Sequence, residues 1–403
     1  MAAVLGRQPI LDQNGVTYGY ELLYRSNADE AFSELYEDEA TSTVINNSFY
    51  QTEIGAISSG KKSFINFTSK LILDEIWSVL PKQNVVIELM DTIVPNAELI
   101  QSVRNIKNQG YTIALDDITN SASMEQLVEF ADIIKIDVKD SDPAAVQRLA
   151  EKYLLQGKKV LAEKVETLKE YKDCRDWGFT LFQGYFFAEP QIVESQKIPE
   201  SRASKLQLMQ QIHQPDIDYG DLVDVLKSDP GLTMKLLKYI NSVSMGVRHE
   251  ITNLRQALAL IGLNNFKKWA TVLIMSSISD DKPRELMRLS LYRGRFCELL
   301  SDQINVDDKS SEYFLTGIFS LMDAAFNTPM ERLVEELPLA DEIIETLLGN
   351  ETKLQIALQL SQALEQNQDL ESRLTSFTKP VSMNAVYDIH KEAIAWTDLI
   401  LKL

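Results

Sequence analysis

Residues 113–117 read Ile113-Ala114-Leu115-Asp116-Asp117, three apolar residues of strand character closed by two adjacent acids. The same design recurs along the first half of the chain. Glu88 closes Val85-Val86-Ile87, Lys135 and Asp137 stand in Ile133-Ile134-Lys135-Ile136-Asp137, and Glu163 follows Val160-Leu161-Ala162. Upstream, Asn66 ends Phe64-Ile65-Asn66, and Glu21 in Tyr20-Glu21-Leu22-Leu23-Tyr24-Arg25 is read as the close of its strand. Amphipathic stretches separate these runs, at 40–51, 95–107 and 143–153. Such alternation predicts repeated βα units and a parallel barrel whose C-terminal strand ends carry the chemistry. Asp12-Gln13-Asn14-Gly15 is a hairpin turn signal, making the opening strand antiparallel to its successor.

Taken singly, an acid at a strand end reads as a solvated loop residue or a helix cap. Taken in series beside an ammonium, the acids read as a converging set. Side chains alternate along a strand, so one acid of Asp116-Asp117 faces inward and the other reaches the site from the strand end. Carboxylate and amide oxygens suit Mg²⁺ or Mn²⁺ rather than zinc.

With Gln8-Pro9-Ile10, Ala162-Glu163, Val165-Glu166 and Gln183-Gly184-Tyr185 added in order, residues 3–195 resemble the EAL domains, hydrolases of cyclic di-GMP. The resemblance implies a modified (β/α)8 barrel in which two metal ions activate a water to cut one phosphodiester bond, giving linear pGpG. It assigns the first metal to Glu21, Asn66, Glu88 and a bridging Asp116, and the second to Asp117 with Glu163 directly or through water. Lys135 would orient the attacking oxygen, Gln183 would fix a water of the metal site, and Gln8, Leu23, Arg25 and Asp137 would contact substrate. Glu163 thereby counts among both the catalytic residues and the metal ligands.

The chain departs from the family pattern in several places. Leu22 replaces an alanine in the signature tripeptide. The loop after Asp117 reads Ile118-Thr119-Asn120-Ser121-Ala122-Ser123, without the family's two glycines, and Asp91 stands where the family uses Glu to brace that loop. Lys164 replaces the residue usual after Glu163 and either puts a cation beside the second metal or faces sideways off the strand. The resulting expectation is an intact first-metal site with slow turnover. The alternative is a non-catalytic cyclic di-GMP sensor or interaction protein.

Near residue 200 the pattern becomes helical throughout. Predicted helices include 254–260, 266–275, 284–303, 312–325, 354–366 and 385–401. Asp229-Pro230-Gly231-Leu232-Thr233, Asn241-Ser242 and Ala257-Leu258-Ala259-Leu260-Ile261-Gly262 resemble the HDOD domain, an all-α relative of the HD phosphohydrolases. The domain reading is therefore an EAL barrel at 1–195, a linker at 196–204 and a helical regulatory HDOD domain at 205–403. HD hydrolases need several histidines and a His-Asp step. This chain has His213, His249 and His390, none before an aspartate, and they are read as surface or cap residues. Asn241-Ser242 is read as a cap or polar core bond ahead of a binding site.

A formal charge of −19 argues against nucleic-acid partners and anionic membrane surfaces. No apolar run reaches the roughly 18 residues that a membrane span requires. Met1 to Gly6 does not read as a signal peptide. Cys174 and Cys297 provide no disulfide framework, are read as buried apolar side chains, and fit a reducing cytoplasm. Expected partners are cyclic di-GMP, a second copy of the chain in a homodimer, and an unidentified protein bound by the helical domain.

Overall fold

The computed structural model describes residues 4–25, 55, 57–116, 124–139, 141–188, 200–228, 230–241, 251, 253–278, 283–304, 309–366, 368, 370–374 and 381–401. The chain divides into two units. One comprises 1–189 with 362–372 and 381–395, and the other 190–361 with 373–380 and 396–403.

The first unit holds a closed eight-stranded barrel in sequential order. Its strands are β1 (Val4–Asp12), β2 (Thr17–Arg25), β3 (Lys62–Phe67), β4 (Val85–Leu89), β5 (Thr112–Leu115), β6 (Ile133–Asp137), β7 (Lys159–Glu163) and β8 (Leu181–Gln183). β1 runs antiparallel to both β2 and β8, and all other pairings are parallel. The β1–β2 reversal is made by the predicted turn. Asp12 Oδ1 accepts from the amides of Asn14 and Val16 at 2.8 and 2.9 Å, and Gly15 supplies the left-handed residue at φ 72°.

Short exits lead from strands into capped helices. Asn96 Oδ1 accepts from Leu99 N at 2.8 Å to start Ala97–Asn108, and Asp142 with Pro143 starts Pro143–Leu155. Thr167 and Glu170 form a reciprocal capping box on Leu168–Asp176. The amphipathic stretch at 40–51 lies outside the described residues.

Inside the barrel, Ile10, Phe64, Val86, Ala114, Ile133, Leu161 and Leu181 form one apolar cluster with almost no exposure. Side chains repeat every second residue on a strand face. Two residues further along the parallel strands therefore come Asn66, Glu88, Asp116, Lys135, Glu163 and Gln183. On antiparallel β1 the corresponding step runs backward, from Ile10 to Gln8. The apolar layer is the floor on which the polar layer stands.

Glu21 does not end its strand but sits mid-way along β2, because β2 continues past the barrel as a two-stranded ribbon with β1 as far as Arg25. Its pairing with β3 does stop at Glu21↔Phe64, so Glu21 closes the part of β2 that belongs to the barrel wall.

The second unit is helical. The helix expected at 312–325 is two, Ser310–Phe319 and Met322–Phe326. Ser320 interrupts it, its hydroxyl donating to Gly317 O at 2.8 Å and accepting from Arg293 Nη1 at 3.1 Å. Gly317 allows its helix to press on Arg284–Ile304, since a Cβ there would lie 2.4 Å from the Arg293 backbone. The helix Glu200–Ile212 includes the second half of the stretch read as linker.

His213 and His390 are buried rather than on the surface. His213 does close the helix Glu200–Ile212, its N–H donating to Met209 O at 3.1 Å, whereas His390 lies within Met383–Ile400 and His249 lies outside the described residues. His213 Nε2 is 2.7 Å from Thr271 Oγ1, a hydroxyl that itself donates to Lys267 O, and this network makes burial of the ring tolerable. Burial, reinforced by Lys267, pushes the imidazole down to about 4. The folded form thus resists a proton that the unfolded chain accepts near pH 6.5. Stability is full above pH 6.5 and falls as the pH drops toward 4, by about 3 kcal/mol for a shift of this size. His213→Gln is expected to flatten that part of the acid dependence, read as urea midpoints of parent and variant between pH 7.5 and 4.5.

Asn241 is a structural bond, as read. Its amide donates to Ile251 O and its carbonyl accepts from Ile251 N, both at 2.8 Å. Ser242 lies outside the described residues.

Candidate active site

The polar layer converges on one side chain. Lys135 is 1% exposed, and its ammonium contacts carboxylates from four strands. Glu163 Oε1 is at 2.7 Å, Glu21 Oε2 at 3.2 Å and Asp116 Oδ1 at 3.3 Å, and Glu88 Oε1 completes the ring. Glu21 is held from two further sides. Asn66 Nδ2 donates to its Oε1 at 3.3 Å, and Gln183 Nε2 donates to its Oε2 at 2.7 Å. The same Gln183 nitrogen reaches Gln8 Oε1 at 2.8 Å, linking the two ends of the barrel sheet. Seven of the predicted residues, Glu21, Asn66, Glu88, Asp116, Lys135, Glu163 and Gln183, therefore form one contact network, with Gln8 at its edge.

Four carboxylates around one ammonium leave three negative charges uncompensated when all are ionised. Burying unpaired charge is costly, and the site answers by holding protons. Burial, with Glu21 next, holds the Glu88 carboxyl well above the usual range despite Lys135. Burial likewise raises Glu163 to about 8 against the pull of Lys135. For Lys135, burial alone would depress the ammonium, but Glu163, Glu21, Glu88 and Asp116 together overcome it and hold it well above its ordinary value.

This donor set fits a divalent cation. Ligand oxygens of Glu21, Glu88 and Glu163 lie within 4.8 Å of one another, and this is the metal-capable cluster found among the described residues. Among the described residues, Glu88 Oε2 and Gln183 Oε1 are buried acceptors without a hydrogen-bond donor. Acceptor-only oxygens in that state call for a cation or water.

The remaining predicted residues spread outward. Asp137, two residues above Lys135, is partly buried and accepts from Lys139 N at 2.9 Å. Leu23 is half-buried on the β1–β2 ribbon, and Asp91 is exposed. Asp117, the loop 118–123 and the Arg25 side chain lie outside the described residues. Two positioning features carried no clear sequence signal. Gly184, at φ 144°, passes so close to Val165 that a Cβ would lie 2.0 Å from its carbonyl oxygen. Lys164 leaves its strand sideways in a left-handed conformation and pairs with Asp137.

The EAL domain model matches residues 7–190 and the HDOD domain model residues 198–332. The cyclic di-GMP phosphodiesterase CdgJ of Vibrio cholerae is 34% identical over 364 residues, 90% of this chain and 84% of that one. The uncharacterized protein YuxH of Bacillus subtilis is 31% identical over 405 residues, 98% of each chain. Among solved structures, an EAL domain protein from Listeria monocytogenes matches 46% of this chain and 87% of its own at 21% identity, with a TM-score of 0.38. The chain belongs to the family of proteins that join an EAL domain to an HDOD domain.

Proposed function

We propose that the protein is a cyclic di-GMP phosphodiesterase whose barrel opens one phosphodiester bond to give linear pGpG. The observation that carries this reading is the convergence of four carboxylates on buried Lys135 at the C-terminal mouth of an EAL-family barrel. Glu21, Asn66, Glu88 and Asp116 would hold a first Mg²⁺ or Mn²⁺, with Asp117 and Glu163 completing a second. Bound there, divalent ions supply charge neutralisation at the phosphodiester oxygens and make water a stronger nucleophile near neutral pH.

The chain's own residues set the geometry. Asn66 and Gln183 fix both oxygens of Glu21, so its carboxylate is oriented before substrate arrives. Lys135 supplies a permanent positive charge in the low-dielectric floor of the site. Gln8, Leu23, Arg25 and Asp137 would contact substrate, and Asp91 would brace the loop after Asp117.

Regulation is assigned to the helical domain, which the sequence furnishes with no His-Asp step and in which His213 is spent on a core hydrogen bond. Among the described residues no helix is long and apolar enough to cross a membrane. A cytoplasmic setting fits two buried thiols, Cys174 and Cys297. A homodimer and a protein partner of the helical domain complete the proposal.

The test is incubation of the purified protein with cyclic di-GMP and Mg²⁺ or Mn²⁺. Chromatography should show pGpG, and EDTA should abolish it. Substrate binding without product would favour the second reading, a sensor, to which the glycine-free segment 118–123 points.

A further inference from the structure

Four non-glycine residues among those described hold a left-handed backbone, Ser59, Glu75, Lys164 and Asn327. Ser59 lies in a turn, and Glu75 and Asn327 flank helices. Lys164, at φ 54°, instead follows directly on the site residue Glu163. A side chain with a Cβ is disfavoured in this conformation, and strain retained beside a site asks what it provides. Here the lysine provides its ammonium, which pairs with Asp137 across the exits of β6 and β7.

The surrounding backbone is fixed on both sides. Val138 N donates to Glu163 O at 3.2 Å, and Val165 N donates to Gln183 O at 3.0 Å. Close approach of Gly184 to Val165 fixes the turn from a third direction. A second ion pair, Lys139 with Glu166 at 2.7 Å, crosses between the same two exits. Asp137 stands opposite Glu163 in register and on the same strand face as Lys135. Its negative charge therefore lies just above a cluster that is already short of cations.

We propose that Lys164 is a positioning residue of the phosphodiester site. Its ammonium holds Asp137 at the rim and cancels that charge where a dianionic cyclic dinucleotide must enter, a role that rests on the hydrolase reading above. The Asp137 carboxylate is 18% exposed and its partner Lys164 61%, so the effect is that of a rim charge on an incoming anion, not of a buried ion pair on stability.

Lys164→Gly removes the ammonium while suiting the backbone. It is expected to raise both the KM and the Kd for cyclic di-GMP about fivefold, with kcat within twofold and a thermal midpoint equal to or above the parent's. Lys164→Arg should keep the parent's KM. In an Asp137→Asn background the same Lys164→Gly change should alter KM less than twofold, because the charge to be cancelled is gone. An unchanged KM and Kd in Lys164→Gly overturns the proposal, as does an equal rise in the Asp137→Asn background. A parent protein that neither binds nor cleaves cyclic di-GMP overturns the hydrolase reading, and this proposal with it. A parent that cleaves normally beside an unaffected Lys164→Gly overturns this proposal alone.

Discussion

Glu21→Ala is expected to lower cyclic di-GMP turnover by about a thousandfold, the scale set by losing a preorganised electrostatic contact at a reacting centre. The fold should survive. Glu21 lies mid-way along a strand paired on both sides through its backbone, and its carboxylate makes the site more negative rather than less. Removing it therefore relieves crowding around Lys135 while taking away an oxygen ligand that Asn66 and Gln183 orient. Steady-state pGpG production, read beside the thermal midpoint in metal-free buffer, checks both halves. Turnover at the parent's rate would remove Glu21 from the metal site. A collapsed midpoint would make its role structural.

Lys135→Met has the largest expected effect on stability. Four carboxylates would keep their places around an apolar side chain, and breaking a buried ion-pair cluster from one side costs about 3–5 kcal/mol. The loss should depend on pH in a definite sense. Glu163 in the folded parent titrates at about 8 rather than near 4.5, so folding binds a proton that the unfolded chain releases. Stability linked to it is full below pH 4.5 and is lost as the pH rises through about 8. Metal-free Lys135→Met should accordingly be least stable in mild alkali, and millimolar Mn²⁺ should recover much of the difference. Scanning calorimetry at pH 6 and pH 8.5, with and without Mn²⁺, reads all of this. Equal midpoints for parent and variant at pH 8.5 would mean that the lysine does not neutralise the ring.

The barrel was legible because two periodicities coincide in its strands. A buried strand of a parallel sheet shows little alternation, but each run here changes from apolar to polar at its C-terminal end. That change marked Asn66, Glu88, Lys135, Glu163 and one acid of Asp116-Asp117 as strand-end site residues, while Gln183 came only from the family motif, and the two-residue period of the folded strands sets all of them on one layer. Glu21 was mislocated along its strand, because the continuation Leu22-Leu23-Tyr24-Arg25 gives no sign of where β2 parts from the barrel wall to pair with β1 alone. The link from Gln183 to Gln8 was hidden for another reason, since it joins β8 to β1 across the closure of the sheet.

In the helical unit, periodicity located most helices but not their packing. The break at Ser320 depends on a partner, Arg293, from a different helix. The burial of His213 was missed because Gln211-Ile212-His213-Gln214 reads as a polar helix end, and only the fold sets Thr271 beside the ring. Lys164 was left between two alternatives because a backbone dihedral is not written in residue type.

The central claim is that the ring around Lys135 is a divalent-metal site, and Mn²⁺ binding tests it without appeal to turnover. Isothermal titration of the full-length protein with MnCl₂ at pH 8 should show saturable binding in the parent and at least about a hundredfold weaker binding in Glu88→Gln, whose carboxylate is fully buried in the ring. No saturable binding by the parent, or equal affinity in Glu88→Gln, would contradict the account.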